Sequence, residues 1–481
     1  MRTILRNLVW MLFSQMFTWA LSVVLLIVAP RALGNAAYGR LEFATTFVAF
    51  FVPAAALGTR TYLVKAIARD ESQLNQLVFN ALLFTLICSL ILAATSIAVA
   101  IGLGYERPVV TVIAVSAIGM VFITLDIPAS SGFQGLQQMR GLAVVAAVQE
   151  IILVGLGLLS LWRGWGITWL AAAFAASYIV QFVANAVRIR PKLRGASPQP
   201  TLWWAIVRGG LPFFFSTAAI MLYGTIDIPL LQHFAGDADV GIYSIAYKWV
   251  GLPAFFASIV MTAILPSLSA TGGVPTVEFI QQANKAIRLV FLVAAPIATG
   301  IALISADVLR VVYSGQLDRG VPVMKILALH LPAVALTMIL GTVLIATDKQ
   351  RSWLVIGLVA AVCNIVTNLF VLPWSVHQFK NGAIGAAMVT VGTEALIVAG
   401  GIWLRPAGVL DRQCVRFCSL VTIACACMVA AVLPLGGVFV GFRITLGACV
   451  FGLASLLLGV VTRSEITQVF GDVRNTLRRS G

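Results

Sequence analysis

Residues 78–101 read VFNALLFTLICSLILAATSIAVAI, twenty-four positions without a charged side chain. A helix that crosses a bilayer needs about 20 mostly apolar residues. Inside lipid, each backbone amide must find its hydrogen bond within the protein, and a helix supplies one for every residue of its interior. A membrane barrel would show alternating segments of about 10 residues instead. This run neither alternates nor stops at that length, so it predicts a transmembrane helix. The rest of the chain repeats the pattern.

Of 481 residues, 60% are apolar and 10% are charged. Soluble domains carry roughly 25% charged residues, so this chain has too little polar surface to coat a globule. Successive apolar runs place fourteen spans, at 8–30, 41–59, 75–103, 109–131, 142–162, 166–187, 204–234, 241–266, 285–306, 322–346, 353–373, 382–404, 415–434 and 443–462. Turn formers and ionised residues separate them, as at Gly34–Asn35, Glu106–Arg107–Pro108, Gly236–Asp237 and Asp348–Lys349. The first run follows Arg2 and Arg6 but is longer than a signal peptide's apolar region and lacks a clear cleavage site. It reads as a retained helix. The expected fold class is an all-α polytopic membrane protein, with no sizeable soluble domain.

The formal charge is +15. In a soluble chain this would suggest nucleic acid; here the basic residues mark the cytoplasmic loops. With the N-terminus inside, twenty-two Lys and Arg fall in inner segments or at inner span ends, nine in outer ones, and Lys248 alone deeper within a span. A miscounted span would invert every later loop and erase this bias. The pattern places both termini in the cytoplasm and the chain in the cytoplasmic (inner) membrane, with no nucleic-acid partner. The seven cysteines lie in apolar segments without zinc-type spacing, and read as small apolar fillers.

A polar stretch from Arg188 to Thr201 holds three prolines and four basic residues. It divides the chain into related halves. Residues 34–47, GNAAYGRLEFATTF, align with 236–249, GDADVGIYSIAYKW, at a constant shift of 202. Gly34 then matches Gly236, Gly39 matches Gly241 and Ala44 matches Ala246. Gly166-Ile-Thr-Trp-Leu-Ala-Ala and Gly382-Ala-Ile-Gly-Ala-Ala open the sixth helix of each half. Parallel repeats are a transporter plan. The expected organisation is a six-helix lobe at 1–190, a cytoplasmic linker at 191–203, a second six-helix lobe at 204–404, two further helices within 405–462, and an amphipathic cytoplasmic tail at 463–481. In the tail, Ile466, Val469, Phe470, Val473 and Leu477 share a helical face that suits an inner leaflet.

Four segments carry a family resemblance. LGNAAYGRLEFATTFVAFFVPAAALGTRTYLVKAIAR (33–69) resembles the helix 1–2 region of polysaccharide-repeat (Wzx-type) flippases. FQGLQQMRGLAVVAAVQEI (133–151) resembles their helix 4–5 turn, FAGDADVGIYSIAYKW (234–249) their helix 7–8 turn, and NGAIGAAMVTVGTEALIV (381–398) their helix 12. These flippases belong to the multidrug/oligosaccharidyl-lipid/polysaccharide superfamily. The resemblance implies two pseudo-symmetric lobes around a central cavity, alternating access, and an undecaprenyl-pyrophosphate-linked oligosaccharide as substrate. It implies service in surface or exported polysaccharide biosynthesis, beside membrane lipids and with a polysaccharide polymerase and glycosyltransferases as partners. A lipid II-type flippase and a multidrug or cation antiporter of the same superfamily are the alternatives. The chain lacks a phosphate-hydrolysing loop, its nearest approach being Gly34-x4-Gly39-Arg40-Leu41, and none of its loops is long enough for a glycosyltransferase site. No enzyme activity and no cofactor are expected beyond a coupling ion, proton or sodium.

Ionisable residues inside spans are costly and mark function. A pyrophosphate headgroup calls for cations, of which Lys248 is the sharpest candidate, with Tyr243, Tyr247 and Trp249 around it. A lysine snorkelling to the interface is the bland alternative. Arg40, beside Glu42 in the related helix of the first half, joins Arg31 and Arg60 as further cation candidates; Arg suits phosphate because its fork presents several donors. For ion coupling the candidates are Asp126, Asp227, Glu150 and Glu394. Asp126 and Asp227 share a pattern, Thr124-Leu-Asp126-Ile-Pro128 and Thr225-Ile-Asp227-Ile-Pro229, in which the proline cannot donate to the threonine carbonyl. Pro53, Pro212, Pro253, Pro296 and Pro332 predict bends within spans. The orientation is tested by labelling: in right-side-out vesicles an impermeant thiol reagent should modify R107C and spare K192C, and the reverse pattern would overturn it.

Overall fold

The computed structural model describes residues 2–269 and 274–460. Among them the secondary structure is helical, without a strand, and fourteen helices are long and apolar enough to cross a membrane. They are α1 (Ser14–Leu33), α2 (Asn35–Arg69), α3 (Glu71–Gly102), α4 (Arg107–Gly135), α5 (Met139–Trp162), α6 (Ile167–Leu193), α7 (Pro200–Ala235), α8 (Asp237–Met261), α9 (Val277–Tyr313), α10 (Gly320–Ala346), α11 (Gln350–Phe379), α12 (Gly382–Leu404), α13 (Arg412–Leu435) and α14 (Val440–Leu457). The chain is a multi-pass membrane protein. The amphipathic tail expected at 463–481 lies outside the described residues.

Several helices run past the apolar runs that announce them. α2 continues to Arg69, so Arg60, Lys65 and Arg69 ride on helix rather than in a loop. The polar extension Thr59–Arg69 is held by Leu63 and Ile67, both fully buried. α2 is broken at Leu57 and Gly58, which take φ of 42° and 69°, and again between Ala49 and Val52, beside Pro53. In α8 a 3-10 turn, Leu252–Ala254, holds Pro253. Pro332 follows a break at Leu329, whereas Pro212 and Pro296 sit inside continuous helix.

Two compact units emerge: Met1–Ile245 with Asn364–Ala386, and Ala246–Cys363 with Ala387–Gly481. In the first, α4 packs on α3 and α6, and α5 on α1 and α6. One hydrophobic cluster joins Leu63, Ile67, Leu77, Val78, Phe133, Ile189 and Ile206. Small residues permit close approach, as where Gly119 meets the backbone of Ala175; in lipid, such packing drives helix association. The stretch 191–203 is tied down by buried Asn80 of α3. Its amide oxygen accepts from the Gln199 N–H at 2.6 Å and the Trp203 indole at 3.2 Å, and its amide nitrogen donates to the Ser197 carbonyl at 3.0 Å.

In the second unit α9 packs against α10, α13 and α14. Ala295, Val421, Cys425 and Val460 form a cluster there. The last helix is anchored by charge. Arg443 of α14, 5% exposed, pairs with Asp307 of α9 and donates to the Leu303 carbonyl at 3.0 Å. An arginine without that carboxylate would be a buried, uncompensated charge, a loss on the order of 3 kcal/mol. R443A should therefore lower the thermal unfolding midpoint in detergent, with R443K intermediate. An unchanged midpoint in R443A would show that the pair carries no stability.

Candidate functional site

The repeat seen in the sequence becomes a contact in the first unit. Gly34 and Gly236, one residue before α2 and α8, have φ of 78° and 82°, backbone that favours glycine. Five residues on, Gly39 and Gly241 bring the two helices together backbone to backbone. A Cβ on Gly39 would overlap the Asp237 carbonyl oxygen, and one on Gly241 would overlap that of Asn35. Asn35 and Asp237 are themselves 202 apart, so the contact is reciprocal. Beside it the Arg40 Nε donates to the Asp237 carboxylate at 2.6 Å. At the break in α2, Gly58 and Gly210 of α7 approach as closely. α2 is thus held at its start and at its break by helices of the chain's second half.

The carboxylates inside spans differ in their surroundings. Asp126 is buried, accepting from the Gln181 amide at 2.9 Å and the Asn185 amide at 2.8 Å. Arg188 donates to the Asn185 oxygen at 3.0 Å, and the charge of Arg60 acts on Asp126. Pro128 does not interrupt α4, and Thr124 bonds the Met120 and Val121 carbonyls. Pro229 has the greater effect: the helix stops at Thr225 and restarts at Asp227. Buried Asp227 accepts from the Tyr243 hydroxyl at 3.0 Å and the Asn368 amide at 2.6 Å; that amide also donates to the Asn364 oxygen at 2.9 Å. Asp126 and Asp227 form separate sites. Glu150 accepts from the Ser22 hydroxyl at 2.5 Å. In the second unit Glu394, fully buried, lies 3.9 Å from His330.

Of the cation candidates, Arg40 is engaged by Asp237, Arg60 is exposed just beyond the break in α2, and Arg31 is exposed at the end of α1. Lys248 lies eleven residues into α8, about 16 Å along the helix. That is three turns inside, deeper than the sequence placed it, and the side chain is exposed. A charged amine at mid-depth is expensive against lipid tails and ordinarily faces water or a partner.

Asp237, His330, Asn364, Asn368, Gln181 and Asn185 complete these sites but were not singled out in the sequence. A signal existed: Gln181 and Asn185, like Asn364 and Asn368, are polar pairs at i, i+4 inside apolar spans, and such pairs share a helix face. Glu394, by contrast, gives no hint of a histidine sixty-four residues away.

The sequence model of the family described as polysaccharide biosynthesis protein matches residues 4–271, and that of the lipid II flippase MurJ matches residues 239–443. No curated protein sequence matched the chain. Among solved structures, the lipid II flippase MurJ in an inward closed conformation superposes with a TM-score of 0.79 at 14% identity, covering 93% of this chain and 98% of that one. An inward-facing multidrug resistance MATE family transporter gives 0.61 at 17% identity, over 80% of this chain and 93% of that one. A transporter of the same superfamily from Pyrococcus furiosus gives 0.55 at 16% identity, over 82% and 94%. The fold and the family models agree, and they describe transporters and flippases rather than enzymes. The chain belongs to the polysaccharide biosynthesis protein family, and is a flippase or transporter of the multidrug/oligosaccharidyl-lipid/polysaccharide superfamily.

Proposed function

We propose that the protein flips undecaprenyl-pyrophosphate-linked oligosaccharide repeat units across the cytoplasmic membrane by alternating access. Both termini lie in the cytoplasm in this reading, and the product feeds polysaccharide assembly by a polymerase after glycosyltransferases have built the unit. The observation that carries it is Lys248. It is exposed halfway along a span, and it lies in residues 239–271, which both family models share. A pyrophosphate brought into the membrane needs a cation there, because hydrocarbon offers it no other solvation. Arg31 and Arg60 are secondary candidates for guiding the headgroup.

Asp227 is the acid best surrounded for a coupling cation. The Asn368 side-chain oxygen is buried without a hydrogen-bond donor, beside the Asp227 carboxylate and the Asn364 oxygen. Carboxylate and amide oxygens suit a hard cation such as sodium. Asp126, held by two amides near Arg60, is better explained as structural. The likeness to MurJ favours one second reading, a lipid II substrate.

Depletion followed by leaflet-resolved analysis of lipid-linked sugars separates the two. Inward-facing repeat units should accumulate, and accumulation of lipid II alone would sink the first reading. K248A should reduce flipping about ten-fold at unchanged expression, K248R less so; undiminished flipping in K248A would remove the residue from the site.

The glycine contact with Arg40 and Asp237 acts, in this reading, as a closure that parts during transport. R40A and D237A should slow flipping to similar extents, and the exchanged pair R40D/D237R should recover most of it. Additive losses in the exchanged protein would argue against a closure.

A further inference from the structure

Glu394 and His330 stand apart from the residues proposed to hold headgroup or sodium. Both belong to the second compact unit. Glu394 shows no exposed surface and His330 6%. Their Oε2 and Nδ1 atoms are 3.9 Å apart, and the Tyr247 ring lies against the imidazole with centroids 5.7 Å apart. Tyr247, His330 and Glu394 are ten, ten and twelve residues from the starts of α8, α10 and α12. At about 1.5 Å per residue each lies some 15–18 Å deep, near the middle of a hydrocarbon layer about 30 Å thick.

A carboxylate at that depth costs several kcal/mol unless a positive charge or a proton accompanies it. Histidine is the side chain that exchanges a proton near neutral pH. We propose that His330 and Glu394 form a proton-binding site at the middle of the membrane. When loaded, the pair holds one proton, as an imidazolium facing the carboxylate 3.9 Å away or as a neutral acid facing the neutral ring. When unloaded, a carboxylate faces a neutral ring, a state tolerable only where water or a rearranged neighbour solvates it. Proton affinity therefore depends on conformation, the property a coupling site requires. That the proton drives translocation rests on the transporter reading above; that the pair binds one does not.

Other ionisable groups stand on the helices of the second unit. From α8, besides the Tyr247 ring, Lys248 is exposed at the same depth, while Asp237 and Asp239 lie in the helix's first turn. The helical segment Phe255–Ser269, which overlaps the end of α8 and continues past it, packs on α10 and has no charged residue. On α9, Asp307 pairs with Arg443, Arg310 with Asp318 and Arg288 with Asp411; Glu278 and Lys285 belong to its opposite end, and Tyr313 accepts from the Trp249 indole. Lys325 of α10 and Cys363 of α11 are exposed, and Lys349, beside Arg351 at the start of α11, bonds the Leu404 carbonyl. Glu394 is the one charged residue of α12.

The chain has only three histidines, at 233, 330 and 377, so histidine-labelled protein gives a readable NMR titration. H330Q identifies the signal. The His330 signal should titrate between about pH 5 and 9, and E394Q should lower its proton affinity about ten-fold or more. A titration unmoved by E394Q, or no titration in that range, overturns the site. In proteoliposomes loaded with undecaprenyl-pyrophosphate-linked oligosaccharide, a pH gradient should alter flipping by the parent but not by H330Q or E394Q. Parent flipping that ignores the gradient would overturn the coupling while leaving the flippase reading intact. Absent flipping with the expected titration would do the reverse.

Discussion

Hydrocarbon does not solvate charge, and most of this structure follows from that constraint. A side chain that is ionised inside a span must be neutralised, matched or placed where water reaches. Arg443 meets Asp307, Arg40 meets Asp237, and Asp126 is wrapped by two amides. Backbone polarity obeys the same constraint. Where prolines interrupt the ladder, helices stop and restart, or threonine and serine hydroxyls take up carbonyls nearby. α3 and α11 simply expose Ile87, Leu90, Ile91, Val355, Val359 and Val362.

Two helices have the same start and the same glycine, and packing puts those glycines in contact. Without side chains at 39 and 241, two backbones meet closely enough for Arg40 and Asp237 to pair across the joint. The pair is not itself repeated. Gly39 is followed by arginine and Gly241 by isoleucine, and Asn35 corresponds to Asp237. The two helices are thus complementary in charge, one supplying the cation and the other the anion. A symmetric contact with identical charges on both sides would repel.

The buried acids divide by chemistry in a similar way. Asp227 is met by donors and oxygens of neutral groups, which hold a fixed charge or a metal ion. Glu394 is met by an imidazole, which exchanges protons. Both are carboxylates on apolar helices, so composition and span position do not distinguish them.

Much of the fold was legible before any coordinates. Helix count is written in composition, because apolar run length is set by bilayer thickness. The repeat was legible too, as a shift of 202. Helix ends were less so: α2 extends to Arg69 because Leu63 and Ile67 find a core, and hydropathy does not register that. The sequence also marked Lys248, Asp126, Asp227, Glu150 and Glu394 as unusual, since a charge in an apolar run is visible without partners. Only tertiary structure decided what each one faces. Arg40 became half of an ion pair, Asp126 an amide-held anchor, and Glu394 the neighbour of His330. Those outcomes depend on side chains brought together from helices far apart in the chain, and helical periodicity specifies a face without specifying what will pack against it.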